Sequence, residues 1–115
     1  MTPDVRGRLQ DMLAYAEGAV SLVERHGREG VLAEWGLQQG LIKAIEVVGE
    51  AAWKIPTPER PALDGLPWDQ VAGLRHHLVH GYGAIRMEVL FGIVDRRLPS
   101  LIVELKRVLQ EPPPP

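Results

Sequence analysis

The sequence predicts an all-α fold, an antiparallel helical bundle with two long N-terminal helices and shorter C-terminal ones. Apolar residues recur at spacings of three and four through each long segment, which lines them along one helical face. No segment alternates apolar and polar residues with turns at strand spacing. Glycine and proline fall between the periodic segments, where a bundle needs its connections.

Residues 3 to 26 read as the first helix, with Leu9, Met12, Leu13, Ala16, Ala19, Val20 and Val23 on one face. Thr2 suits the N-cap, Pro3 the first helical position and Asp4 the first turn. Gly27 and Gly30 mark its end. A second helix is expected from about Val31 to Ile55, on the stripe Leu37, Leu41, Ala44, Ile45, Val48 and Ala52. Gly36 and Gly40 each cost this helix about 1 kcal/mol against alanine, which a closely crossing helix would offset.

Residues 56 to 67, "PTPERPALDGLP", form a proline-rich connector with an Asp64-Gly65 turn signal. A third helix should start at Pro67, run through Trp68, Val71, Leu74 and Leu78, and break near "HGYG". A fourth, about 85 to 95, presents Ile85, Val89 and Ile93. A fifth, 98 to 110, presents Leu98, Leu101, Ile102, Leu105, Val108 and Leu109. One domain over residues 1–111 follows, with 112–115 a flexible polyproline tail.

Bulk properties exclude several classes. The 115 residues suit one domain, and 45% hydrophobic with 24% charged content is ordinary for a globular core. Cysteine is absent, so there is neither a disulfide frame nor thiolate chemistry, as fits a reducing cytoplasm. No secretory leader and no membrane span are expected from the apolar runs. A net charge of −2 gives no global attraction for nucleic acid, so any RNA contact has to be local. Trp35, Trp53 and Trp68 read as core or interface fillers rather than base-stacking platforms. Arg96, Arg97, Lys106 and Arg107 read as surface charge.

The chemistry concentrates in residues 75 to 82, "RHHLVHGY". His76 and His80, or His77 and His80, can share a helical face. Zinc wants three or four ligands, however, and the segment offers neither cysteine nor a nearby carboxylate. No metal and no cofactor is expected. Metal-free RNA cleavage is the second possibility. The RNA's own 2′-hydroxyl attacks phosphorus while one group takes its proton and another protonates the leaving oxygen. Histidine, with a reference pKa of about 6.5, suits proton transfer. Arginine suits the phosphate, being permanently charged and bidentate. At about 100° per residue, Arg75 and Tyr82 share a face while His80 lies about 140° from Arg75. A straight helix does not converge the three. Unwinding at Gly81 would, and so would a twofold dimer that sets two copies across one groove. From spacing alone, a decorated and solvated helix face is favoured over a site.

The wider sequence shifts that balance. "RHHLVHGY" fits R-x-x-x-x-H-x-Y at Arg75, His80 and Tyr82. Its frame, "LPWDQVAGLRHHLVHGYGAIRMEVLFGIVDRRLPSLIVEL", and the upstream "GLIKAIEVVGEAAWKIP" resemble the HepT-like toxins of the HEPN superfamily. The likeness covers roughly residues 9 to 109. It implies a HEPN-like all-helical homodimer with a metal-independent ribonuclease site at the subunit interface, as in a type VII-like toxin–antitoxin module. Carried over, Arg75 clamps the scissile phosphate and His80 is general acid or base. Tyr82 is where a minimal nucleotidyltransferase antitoxin adds AMP and silences the toxin, placing negative charge and bulk in the groove.

The chain departs from that pattern at three positions. His76 stands where the family usually has asparagine, a supporting residue that orients the site, and histidine also donates and accepts. Gly81 replaces a common acidic residue, and Arg86 stands where aspartate often follows. Losing both negative charges favours RNA and alters what the antitoxin meets. Glu46 and Glu50 either hydrogen-bond motif residues from the second helix, with Glu50 as an orienting residue, or are solvated. Two rivals stand beside the ribonuclease: a non-catalytic helical substrate-binding partner of a nucleotidyltransferase, and a purely structural dimer whose site has decayed. Binding alone has no need of a proton-transfer group, so Arg75 with His80 argues against the first, while the second predicts no effect of Arg75→Ala and His80→Ala.

Overall fold

The computed structural model describes residues 1–63, 66–76 and 86–110. Among the described residues there are five α-helices: α1 (Pro3–Ala33), α2 (Trp35–Lys54), α3 (Trp68–Ala72), α4 (Met87–Arg96) and α5 (Leu98–Gln110). Short 3₁₀ turns occupy Thr57–Glu59 and Gly73–Arg75. No strand occurs among the described residues, so the fold is all-α. The Asp64-Gly65 turn, the break at "HGYG" and the closing prolines lie outside the described residues.

Helix α1 starts as its sequence dictates. Thr2 is extended, its hydroxyl accepts from the Val5 N–H at 3.1 Å, and Pro3 opens the first turn. Val5, Leu9, Met12, Ala16 and Ala19 are buried, while Leu13, Val20 and Val23 pack at the margin of the core. Gly27 interrupts the helix at φ 70°, ψ 166°, the only positive φ among the described residues. Here the boundary differs from expectation. The chain resumes helical geometry after Gly27 and runs to Ala33, and α2 begins at Trp35 rather than Val31. Gly30 terminates nothing. The real break is Glu34, extended at φ −127°, ψ 115°, with Gln38 Nε2 donating to the Leu32 carbonyl across it. That single extended residue turns the chain back on itself.

The α1–α2 hairpin is antiparallel. A Cβ on Gly40 would sit 3.3 Å from Leu22 Cδ1, which sets the start of α2 against the part of α1 that precedes Gly27. Gly40 thus marks a close crossing, as expected, but Gly36 does not, since nothing lies within 4 Å of its Cβ position. The close approach that matters is at Gly49, against the segment carrying Arg75.

Helices α4 and α5 close the core with Leu90, Phe91, Ile93, Val94, Leu98, Leu101, Leu105 and Val108. Polar contacts fix their placement. Arg6 donates to the Leu109 carbonyl at 2.9 Å, Lys106 lies 3.6 Å from Glu17, and Arg28 bonds Asp95 while its guanidinium lies 5.5 Å from the Phe91 ring. Among the described residues no polar or charged side chain is buried, so the core is wholly apolar.

Candidate functional site

Three features of the sequence bring Arg75 onto the face of α2. The first is the connector. Arg60 Nε donates to the Ile55 carbonyl at 2.9 Å, and the Trp68 indole N–H donates to the Pro61 carbonyl at 2.6 Å. The Arg60 guanidinium also lies 5.5 Å from the Trp68 ring. These contacts span the proline-rich stretch and set where α3 begins. Second, Val71, Ala72 and Leu74 bury themselves against α2, which orients the turn that follows. The third is Gly49: a Cβ there would stand 2.8 Å from the Arg75 amide nitrogen and 3.2 Å from its Cβ. Only glycine lets the two backbones meet so closely.

At that crossing Arg75 Nη1 donates to Glu50 Oε1 at 3.2 Å, with the two side chains 23% and 33% exposed. The guanidinium carbon lies 4.3 Å from the centre of the Trp53 ring. Glu50 and Trp53 are neighbours on one face of α2, one turn apart. One carboxylate and one aromatic face therefore hold the cation. A partly exposed ion pair contributes about 1 kcal/mol or less, and an arginine over tryptophan about 0.5–2 kcal/mol. The arrangement sets direction more than stability. Among the described residues Arg75 makes no other side-chain hydrogen bond, so four of the five guanidinium N–H groups have no acceptor there.

Glu46, the other candidate from α2, instead lies 3.9 Å from Lys43 on its own helix. His76 follows the Gly73–Arg75 turn and is exposed. His77, His80, Gly81 and Tyr82 lie outside the described residues. Among the described residues no three histidine, aspartate or glutamate side chains gather as a metal-ligand group. None of the described helices is long and apolar enough to cross a membrane.

The tryptophans divide. Trp68 packs against the core, but Trp35 and Trp53 are 75% and 56% exposed and are not core residues. Their position along α2 explains why: Ala51 and Ala52 take the buried positions beside Trp53, which leaves the indole outside. Sequence reasoning therefore missed Trp53 and Arg60. The one available signal was the basic residue of a "W…R" pair, which has no fixed spacing.

Beside the site, a cleft of about 450 Å³ opens between α3, α4 and α5, lined among others by Val71, Leu74, Val89, Ile93, Arg96 and Arg97. Arg97 is held there by Gln70, 2.9 Å away.

A family profile described as "Ribonuclease HepT-like" matches residues 12–108. The chain belongs to the HepT-like ribonuclease family. Several of its relatives carry ribonuclease names. "Probable ribonuclease HepT" of Thermococcus cleftensis is 31% identical over 96 residues, covering 80% of this chain and 87% of that protein. "Putative RNase MJ0127" of Methanocaldococcus jannaschii is 28% identical over 108 residues, covering 94% and 89%. "Putative RNase TTE0752" of Caldanaerobacter subterraneus subsp. tengcongensis is 24% identical over 106 residues, covering 92% and 95%. No solved structure matches the chain. The match covers α1 from residue 12 onward, all of α2, the connector and the segment that carries Arg75.

Proposed function

We propose that this HepT-like chain is an RNA-cleaving toxin that works without a metal, as a homodimer, and is silenced when a minimal nucleotidyltransferase antitoxin adenylylates Tyr82. The observation that carries the reading is the fixed Arg75: a cation at the head of the R-x-x-x-x-H-x-Y motif, steered by Glu50 and Trp53, with most of its donors open. A solvated, decorative arginine has no need of a glycine crossing and two orienting side chains beneath it.

In this mechanism Arg75 neutralises the charge that grows on the phosphate oxygens. The RNA 2′-hydroxyl attacks phosphorus, giving up its proton to a general base, and the 5′-oxygen leaves with a proton from a general acid. His80 supplies one or both transfers, with His76 as a supporting donor or acceptor. A 2′,3′-cyclic phosphate and a free 5′-hydroxyl result. A second copy of the chain brings its own Arg75 and His80 to the same groove. AMP on Tyr82 sets a phosphate beside Arg75 and a base in the groove, competing with RNA for both.

The test is incubation of the purified chain with total RNA in the presence of chelator, beside His80→Ala prepared in the same way. Cleavage by the unsubstituted chain alone, leaving cyclic phosphate ends, is expected. Intact RNA, with Tyr82 shown by mass to be unmodified, would instead make the chain a non-catalytic partner of a nucleotidyltransferase.

A further inference from the structure

We propose that Trp53 is the platform on which this site stacks an unpaired nucleobase, beside the phosphate that Arg75 holds, so that the site takes single-stranded rather than duplex RNA. This rests on the ribonuclease reading above and names its substrate class.

Three arginine–aromatic pairs occur among the described residues, and they differ in what the ring is free to do. Phe91, under Arg28, is 2% exposed and belongs to the core. Trp68, under Arg60, packs on the core and commits its indole N–H to the connector. Trp53 does neither. It is 56% exposed, its indole N–H makes no hydrogen bond among the described residues, and its guanidinium contact is the closest of the three, at 4.3 Å against 5.5 Å. An indole left this open keeps apolar surface in water that a partner could cover, at a gain of roughly 25 cal/mol per Å².

The chemistry beside it names the cover. A nucleotide carries a phosphate and a flat aromatic base on adjacent atoms of one sugar. A guanidinium with free donors fits the first, and an open indole surface fits the second. Because Arg75 already lies over the ring, both groups are offered at one spot, and binding need not first assemble them. Bases in a duplex have both faces covered by neighbours and cannot reach such a ring. Bases in loops and single strands can. Trp35, although more exposed, has no cation over its ring among the described residues and lacks this pairing.

The test measures binding and cleavage separately, using the full chain, Trp53→Ala and Trp53→Phe. Binding is followed by anisotropy of a labelled single-stranded oligonucleotide whose 2′-hydroxyls are replaced by hydrogen, which cannot be cut. Stacking of one base corresponds to about a tenfold loss of affinity in Trp53→Ala, with most of it restored in Trp53→Phe. The salt slope of binding stays the same in Trp53→Ala, because an indole releases no counterions, whereas Arg75→Ala flattens it. Unchanged binding by Trp53→Ala overturns the proposal. So does a fall to monomer by light scattering that Trp53→Phe reverses, since the ring would then be covered by a second copy. Cleavage of an all-RNA strand, scored alongside, separates the two claims. Cleavage with binding indifferent to Trp53 removes the platform and leaves the ribonuclease, and loss of both cleavage and binding in the unsubstituted chain removes both.

Discussion

Gly49 and Arg75 meet backbone to backbone, with room at Gly49 for a hydrogen and no more: a β-carbon there would stand 2.8 Å from the Arg75 amide nitrogen. The motif arginine is thus placed by a contact of main chain on main chain, and Glu50 and Trp53 then steer its side chain. Position comes from glycine and direction from its two helix neighbours.

Gly49→Ala should therefore act on the site more than on the helices. The added methyl group forces the Arg75 segment outward, at about 1–3 kcal/mol in stability. Helical circular dichroism stays near that of the unsubstituted chain, the urea midpoint falls, and RNA cleavage drops by at least tenfold. Full cleavage would show that the crossing does not position Arg75.

Glu50→Ala separates steering from folding. The Arg75–Glu50 pair is partly exposed, so its removal costs about 1 kcal/mol or less, seen as a small drop in thermal midpoint. Cleavage falls about tenfold, because Arg75 loses the bond that aims it. Glu50→Gln keeps an acceptor and retains more activity than Glu50→Ala.

Gly27→Ala tests a position far from the chemistry. At φ 70°, ψ 166° an L-residue is strained, at about 1–3 kcal/mol, although nothing lies within 4 Å of the added atom. Denaturant unfolding should show that loss while single-turnover cleavage remains unchanged. Gly27→Asn should lose about as much as Gly27→Ala, since ψ 166° lies outside the left-handed helical region that asparagine tolerates.

Tyr82→Phe tests the regulation. Without the phenolic oxygen there is no acceptor for AMP, so the variant should cleave RNA whether or not the nucleotidyltransferase and ATP are present. The unsubstituted chain should gain the mass of AMP and stop cutting. Silencing of Tyr82→Phe under the same conditions would move the modification elsewhere.

The helices were readable because burial imposes a period. Leu9, Met12, Ala16 and Ala19 on α1, and Leu98, Leu101, Leu105 and Val108 on α5, announce their faces by spacing alone. The α1–α2 boundary was not, because Gly27 and Gly30 look alike in sequence. Only backbone geometry shows that Gly27 bends the helix, Gly30 continues it and Glu34 ends it. The site was half readable. A motif pattern points to Arg75, and a helix face points to Glu50. Nothing periodic links Trp53 to Arg75, since their contact depends on how the connector returns the chain to α2.

That connector has a kinetic and entropic side. Pro56, Pro58, Pro61 and Pro67 stiffen the stretch between Ile55 and Trp68, and Arg60 and Trp68 pin it in place. Each proline narrows the conformations open to the unfolded chain, so fewer are given up when α3 docks. Because Arg60 and Trp68 bond to carbonyls along this stretch, changes in its length should be tolerated less well than in an ordinary surface loop.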